Sequence, residues 1–227
     1  MALEHPDSPA SLVLVRHGET TWNAAGLIQG HSDRATLTDT GLGQARQLAD
    51  DLGAPGAPSI RALYSSDLRR SRSTAEPLSG RLGLALRIDA RLRERCYGAV
   101  EGEPLSRVDV QTIGIDQGRV LDPDARPPGG ESLRDLYLRT ASFLDELFAT
   151  PPRGGEGDVV AVTHGGTIRV ALAYLQGIPV EEMSWPPVPN LASYRRALGH
   201  PGRPTPATGS PRPAERPQTA PMMRSTS

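Results

Sequence analysis

Two apolar runs in this 227-residue chain end in the same chemical type: LVLVRHG closes on His17 and VVAVTHG closes on His164. Each run reads as a buried strand, because consecutive apolar or β-favouring residues leave no polar face. Each is followed by glycine and then by a coming helix, so the imidazole sits where free amide N–H groups and the helix dipole favour an anion. Arg16 places a guanidinium beside the first imidazole. A third junction of this kind carries SSDLRRSRSTAE, in which Arg70 falls about one turn into a helix and can reach the same crevice. A planar guanidinium binds phosphate oxygens bidentately and keeps its charge, which suits a tetrahedral dianion. Asn23, in TTWN, adds a neutral donor. RLRERCYGAVEG offers two carboxyls, Glu94 and Glu101, in an irregular segment. Near a bound phosphate such a group is expected to have its pKa raised by like-charge repulsion, which suits it to protonate a departing alkoxide. A single histidine or arginine cluster reads more simply as structural or solvated. The repeat of one arrangement at successive strand-to-helix junctions is what points to a phosphate site.

The elements that must position these groups follow from periodicity. Leu12 to Val15 is the first strand. Thr38 precedes a helix over DTGLGQARQLADDLG, whose Leu42, Ala45, Leu48, Ala49 and Leu52 share helical spacing and which Gly53 can stop. IRALYSS, residues 60–66, is a strand. The helix after it is expected to take Ser66 or Asp67 as N-cap and to kink or stop early at Pro77. A short strand is expected over Leu84 to Ile88. Residues 89–130 lack periodicity and carry Gly and Pro, which in a compact domain suggests a binding lid. Leu133, Leu136, Tyr137, Phe143, Leu144 and Leu147 then form one helical stripe, before the strand DVVAVT and the apolar helix TIRVALAYLQG. Strands alternating with helices indicate an α/β layered fold with a mostly parallel sheet. From Gly199 the last 29 residues hold seven prolines and almost no large apolar side chains, so they are expected to be a disordered tail after a domain spanning residues 1–198.

RHGETTWN, SSDLRRSRSTAE, RLRERCYGAVEG, GGES and VTHGGTIR, in that order over roughly residues 12–195, resemble the histidine phosphatase superfamily in its phosphoglycerate mutase-like branch. The resemblance implies a three-layer αβα sandwich and metal-independent hydrolysis of a small phosphorylated metabolite, with no cofactor. It implies that His17 attacks phosphorus, its other ring nitrogen held by a backbone acceptor. Arg16, Arg70 and His164 would surround the phosphoryl oxygens, and Asn23, Gly165, Gln29 and Glu19 would be substrate-binding. Glu94 rather than Glu101 would be the acid, because it precedes a tyrosine-glycine pair by three residues as in mutase-type relatives. Cys96 stands where many relatives have histidine and reads as a packed, non-catalytic thiol. Leu27 replaces an arginine common in relatives, and HSDRATLT is one residue longer than the usual segment; both bear on specificity rather than chemistry. The alternative is a bisphosphoglycerate-dependent mutase. Only 36 residues separate Glu94 from Glu131, fewer than in glycolytic mutases, which favours hydrolysis. A module that binds without catalysis is a third reading, weakened by competent residues at all five core positions.

Composition closes off other classes. All 25 basic residues are arginine, so a Walker-type phosphate loop, a pyridoxal Schiff base and a lysine nucleophile are excluded. A net charge of -1 and few aromatics argue against nucleic acid and against an anionic membrane surface. One cysteine permits no internal disulfide and no multi-cysteine metal site. No apolar run approaches a membrane span, and MALEHPDSPA has no signal-peptide character, which points to a soluble, cytoplasmic protein. Oligomeric state is open, a homodimer included.

Overall fold

The computed structural model describes residues 10–152 and 156–198. In chain order these form β1 (Ser11–Arg16), a single-turn α1 (Thr21–Ala24), α2 (Asp39–Leu52), β2 (Ile60–Ser65), α3 (Arg69–Leu82), β3 (Leu86–Ile88), α4 (Val110–Ile113), β4 (Ile115–Asp116), β5 (Arg119–Val120), α5 (Leu133–Ala149), β6 (Asp158–Thr163), α6 (Gly165–Leu175) and β7 (Ser193–Ala197). The main sheet runs β3-β2-β6-β1-β7. All its pairings are parallel except β1 with β7. The fold is the expected α/β sandwich of three layers.

Alternation along the two central strands builds both faces of the core. Leu12 and Leu14 of β1, with Val159 and Ala161 of β6, pack on Phe143 and Leu144 of α5 and on Ile168 and Ala171 of α6. Val13, Val15, Val160 and Val162 point the other way, onto Leu48 and Ala49 of α2 and Ala75 and Leu78 of α3. Each valine, leucine, isoleucine or phenylalanine so withdrawn from water contributes about 1.5–3 kcal/mol before entropy is counted, and each alanine less. Register then fixes the site: Arg16 lies opposite Thr163 and Ser65 opposite Val162, so three parallel strands end at one level. A crevice at the carboxyl ends of such strands is where α/β sheets take ligands.

Several expectations change in detail. Neither candidate N-cap of α3 caps it; Leu68 holds that position without a side-chain bond, because Ser66 bonds His164 and Asp67 bonds Arg93. The Asp33 carboxylate accepts from the Arg69 amide instead. Pro77 does not stop α3, which runs on to a left-handed Gly83, with Ala75 and Leu78 seated in the core on either side of the proline. Leu42 is 41% exposed, and Gly41 takes the buried position on that turn of α2. The strand expected from Leu84 begins at Leu86. The antiparallel edge strand β7 was not apparent from SYRRA, which lacks an apolar run. Residues 199–227, including the expected tail, lie outside the described residues.

Candidate active site

His17 follows β1 directly, and its amide donates to the Thr163 carbonyl at 2.9 Å, tying it to the end of β6. Its side chain is 2% exposed. Nδ1 lies 2.7 Å from the Gly18 carbonyl oxygen, which can only accept, so Nδ1 carries the proton and Nε2 keeps its lone pair. Nε2 has no hydrogen-bond partner among the described residues. Burial, and then the nearby Arg70 and Arg16, hold the imidazole well below its usual pKa, which keeps it neutral.

His164, fully buried, approaches His17 with ring centroids 5.1 Å apart. Its Nε2 sits 2.7 Å from Ser66 Oγ at the end of β2, and its Nδ1 is buried without a partner. Arg70, 1% exposed, spends Nη1 and Nη2 on the carbonyls of Ser32 and Gly30 at 3.0 and 2.7 Å. Burial lowers its pKa to about 10, so it is still charged at neutral pH. Arg16 donates through Nη1 to the Val188 carbonyl. The Nε groups of Arg16 and Arg70, like His164 Nδ1, are buried donor sites with no partner. Cations buried without a counter-ion cost stability, and a site that retains them is built for an anion.

Glu94 lies against this cluster. Its Oε2 accepts from the Gly166 amide at 3.0 Å and its Oε1 from the Arg95 amide at 2.8 Å. The carboxylate is so close to α6 that a Cβ on Gly166 would stand 2.1 Å from Oε1. The loop carrying Glu94 is clamped from α5: Arg139 donates to the carbonyls of Arg91, Arg93 and Glu94 at 2.9, 2.7 and 2.6 Å and pairs with Glu131. Glu101 is not in the crevice. Its Oε1 accepts from the His31 and Tyr97 amides at 2.8 and 3.0 Å, pinning the lid instead.

The crevice opens into a cavity of about 610 Å³ that Arg16, His17, Asn23, Gln29, Arg70 and Glu94 line at its inner end. The Asn23 amide oxygen accepts from Thr20 and from Asn190 Nδ2, leaving its own NH₂ as the free donor. Gln29 accepts from Thr20 Oγ1 at 3.1 Å. Gly165 is the first residue of α6, so its amide has no intrahelical acceptor. Glu19 departs from expectation: its carboxylate accepts from Thr38 Oγ1 at 2.8 Å, at the start of α2, and it does not line the cavity. Cys96 also stays out, its Sγ 3.7 Å from Glu101 Oε1, and burial pushes the thiol up. The expected lid is real in position: Leu105, Val108, Val110, Ile113 and Ile115 form an apolar wall of the cavity.

Residues 12–207 match the sequence profile of the histidine phosphatase superfamily, branch 1. The chain belongs to that superfamily. It is 36% identical over 196 residues to a glucosyl-3-phosphoglycerate phosphatase of Mycobacterium tuberculosis, covering 83% of this chain and 85% of the other. It is also 36% identical over 167 residues to a probable phosphoglycerate mutase of Yersinia pestis, covering 73% and 74%. A solved mycobacterial glucosyl-3-phosphoglycerate phosphatase complexed with VO3 superposes with a TM-score of 0.66 at 32% identity, covering 82% of this chain and 92% of the other.

This histidine phosphatase is a phosphoric monoester hydrolase, and several residues around its crevice escaped the sequence reading. Ser66 looked like a helix cap and instead orients His164. Asn190 holds the His17 carbonyl at 2.9 Å from a loop with no motif. Gly166 passed as part of a glycine pair, although the closeness of Glu94 requires it. Arg139 sits on a helix whose apolar stripe gave no hint that its polar face clamps the lid. Only the GG doublet after His164 was a usable signal, since two glycines where one suffices to open a helix suggest a close approach.

Proposed function

We propose that this histidine phosphatase hydrolyses its substrate through a phosphohistidine on His17 Nε2, with the protein's own cations supplying the positive charge. One observation carries the reading: the unpartnered donors Arg16 Nε, Arg70 Nε and His164 Nδ1 surround a neutral imidazole whose Nδ1 is already held by a carbonyl. His17 Nε2 attacks phosphorus, and the bond to the ester oxygen breaks as that oxygen takes the Glu94 proton. Water then attacks the phosphohistidine, giving a proton to Glu94 and releasing phosphate and the neutral imidazole. Ser66 donating to His164 Nε2 puts the single ring proton of that neutral imidazole on Nδ1, aimed at the phosphoryl oxygens. The guanidiniums and His164 stabilise the in-line transition state, in which charge spreads over the three equatorial oxygens. Arg16, Arg70 and His164 thus form the clamp, Glu94 is the acid and base, and Asn23, Gln29 and the Gly165 amide are lesser contacts.

The substrate is a small phosphorylated metabolite. The family relation and a cavity with room for a leaving group beyond the phosphate support that size class. A mutase-type transferase is the second reading, favoured only by the likeness to a probable phosphoglycerate mutase. The test is phosphate release by wild type and His17→Ala, with chelator present, from aryl, sugar, glycerate and nucleotide phosphates. Release by wild type with a loss of roughly 10⁴-fold or more in the variant supports hydrolysis at His17. Interconversion of phosphoglycerate isomers without net release overturns it in favour of the mutase.

A further inference from the structure

Beyond the phosphate clamp, one more guanidinium stands in the cavity with no assigned work. Arg169 lies on α6, one turn on from Gly165 and therefore on the same face of the helix. Its Nε donates to the Pro186 carbonyl at 2.5 Å, and its guanidinium stacks over the Trp185 ring at 4.6 Å from the centroid. These two contacts fix the plane of the fork. Neither Nη1 nor Nη2 has a hydrogen-bond partner or ion pair among the described residues, and Arg169 lines the cavity. Glu94 is the carboxylate whose charge acts on it, but both its oxygens already accept backbone amides and no ion pair forms. A half-buried guanidinium, fixed in orientation and with both terminal nitrogens unpaired beside a cavity, is set to meet a ligand that carries negative charge.

Its position says where that ligand group lies. A Cβ on Gly165 would be 3.2 Å from Arg169 Nη1 and 3.7 Å from Arg16 Nε, so the two guanidiniums flank the same point of backbone. We propose that Arg169 is a second anion subsite, which reads a carboxylate carried by the substrate a few bonds from its phosphate ester. This inference rests on the phosphatase reading and narrows its substrate class to phosphorylated hydroxy acids and their derivatives. A single carboxylate fits better than a second phosphate. One guanidinium matches one charge, and Glu94 and Asp116, both lining the cavity, oppose a further dianion. Leu27, Val108 and Ile113 offer the rest of the leaving group apolar surface rather than a further cation.

The experiment compares 3-phosphoglycerate with glycerol 3-phosphate, which differ only in carboxylate against hydroxymethyl, and uses an aryl phosphate as reference. Wild type, Arg169→Met and Arg169→Lys are assayed for kcat/KM on each. Wild type is expected to prefer the glycerate ester by about 10- to 100-fold, the difference lying mainly in KM. That ratio falls to about one in Arg169→Met and to an intermediate value in Arg169→Lys, which keeps the charge and loses the fork. Taking the ratio within each variant cancels any common loss from misfolding or a disturbed clamp. A wild-type ratio near one, or equal losses on both esters in Arg169→Met, overturns the subsite while aryl phosphate turnover leaves the phosphatase reading standing. Failure of wild type on all three esters overturns both.

Discussion

Glu94 and Gly166 are bound into one unit, since the carboxylate rests on the amide of a residue that leaves no space for a methyl group. Gly166→Ala must therefore push the proposed acid away while leaving His17 and the clamp in place. Glu94→Gln keeps the shape and removes the proton. Both variants are expected to slow esters with poor leaving groups by about 10²- to 10⁴-fold and aryl phosphates far less, because a good leaving group needs no protonation. Comparison of kcat/KM across leaving-group pKa checks this; equal losses on both ester types would remove Glu94 from the acid's role. At this scale the sequence was informative where chemistry and strand ends coincide. Arg16, His17 and His164 were legible because an apolar run stops at a charged or titratable group, and Arg70 because an arginine cluster follows the third strand-to-helix junction. Ser66 and Asn190 were not, because a hydroxyl or amide outside a motif carries no trace of the partner it will meet.

The elements differ in how they are held. β1, β2 and β6 and helices α2, α3, α5 and α6 are built by apolar side chains in periodic array, and their spacing was readable for that reason. The segment between β3 and α5 is held instead by guanidiniums on carbonyls. Arg95, fully buried, donates to the carbonyls of Glu131, Ile113 and Ala125, and Arg139 holds the backbone on both sides of Glu94. Such staples join residues tens of positions apart and leave no period in the sequence, so the segment read as an irregular lid. Arg139→Leu removes the clamp and leaves Glu131 without its arginine partner. The expected cost is about 3 kcal/mol, or a fall in Tm of roughly 6–12 °C, together with a drop in kcat as the Glu94 loop loosens. Thermal denaturation beside steady-state kinetics checks this. An unchanged Tm would show that the lid does not depend on that arginine.

On the scale of the whole molecule, burying two histidines beside arginines ties stability to pH. His17 and His164 both lie well below the ordinary imidazole value, through burial first and Arg70 next. In the unfolded chain they take up protons near pH 6.5. Below that pH the unfolded state binds more protons than the folded state, so stability falls as the medium is acidified. Each histidine contributes up to about 1.4 kcal/mol per pH unit in that window, and nothing above it. Tm measured from pH 7.5 down to pH 5 is expected to decline, and His164→Gln to decline less steeply. Identical slopes would contradict the neutral, buried state assigned to His164. Among the described residues no helix is long and apolar enough to cross a membrane, and no group of three or more His, Cys, Asp or Glu could hold a metal ion.

Covalent chemistry at one atom, His17 Nε2, is the central step proposed, and trapping the phosphohistidine tests it. Wild type and His17→Ala are mixed with a radiolabelled phosphate ester in the presence of chelator, quenched during turnover and digested. The expected result is a label on the peptide containing His17 that is stable in alkali and lost in acid, as a phosphorus–nitrogen bond requires, and none on the folded variant. Turnover by wild type with no protein-bound label, or a variant that still hydrolyses the ester, would contradict it.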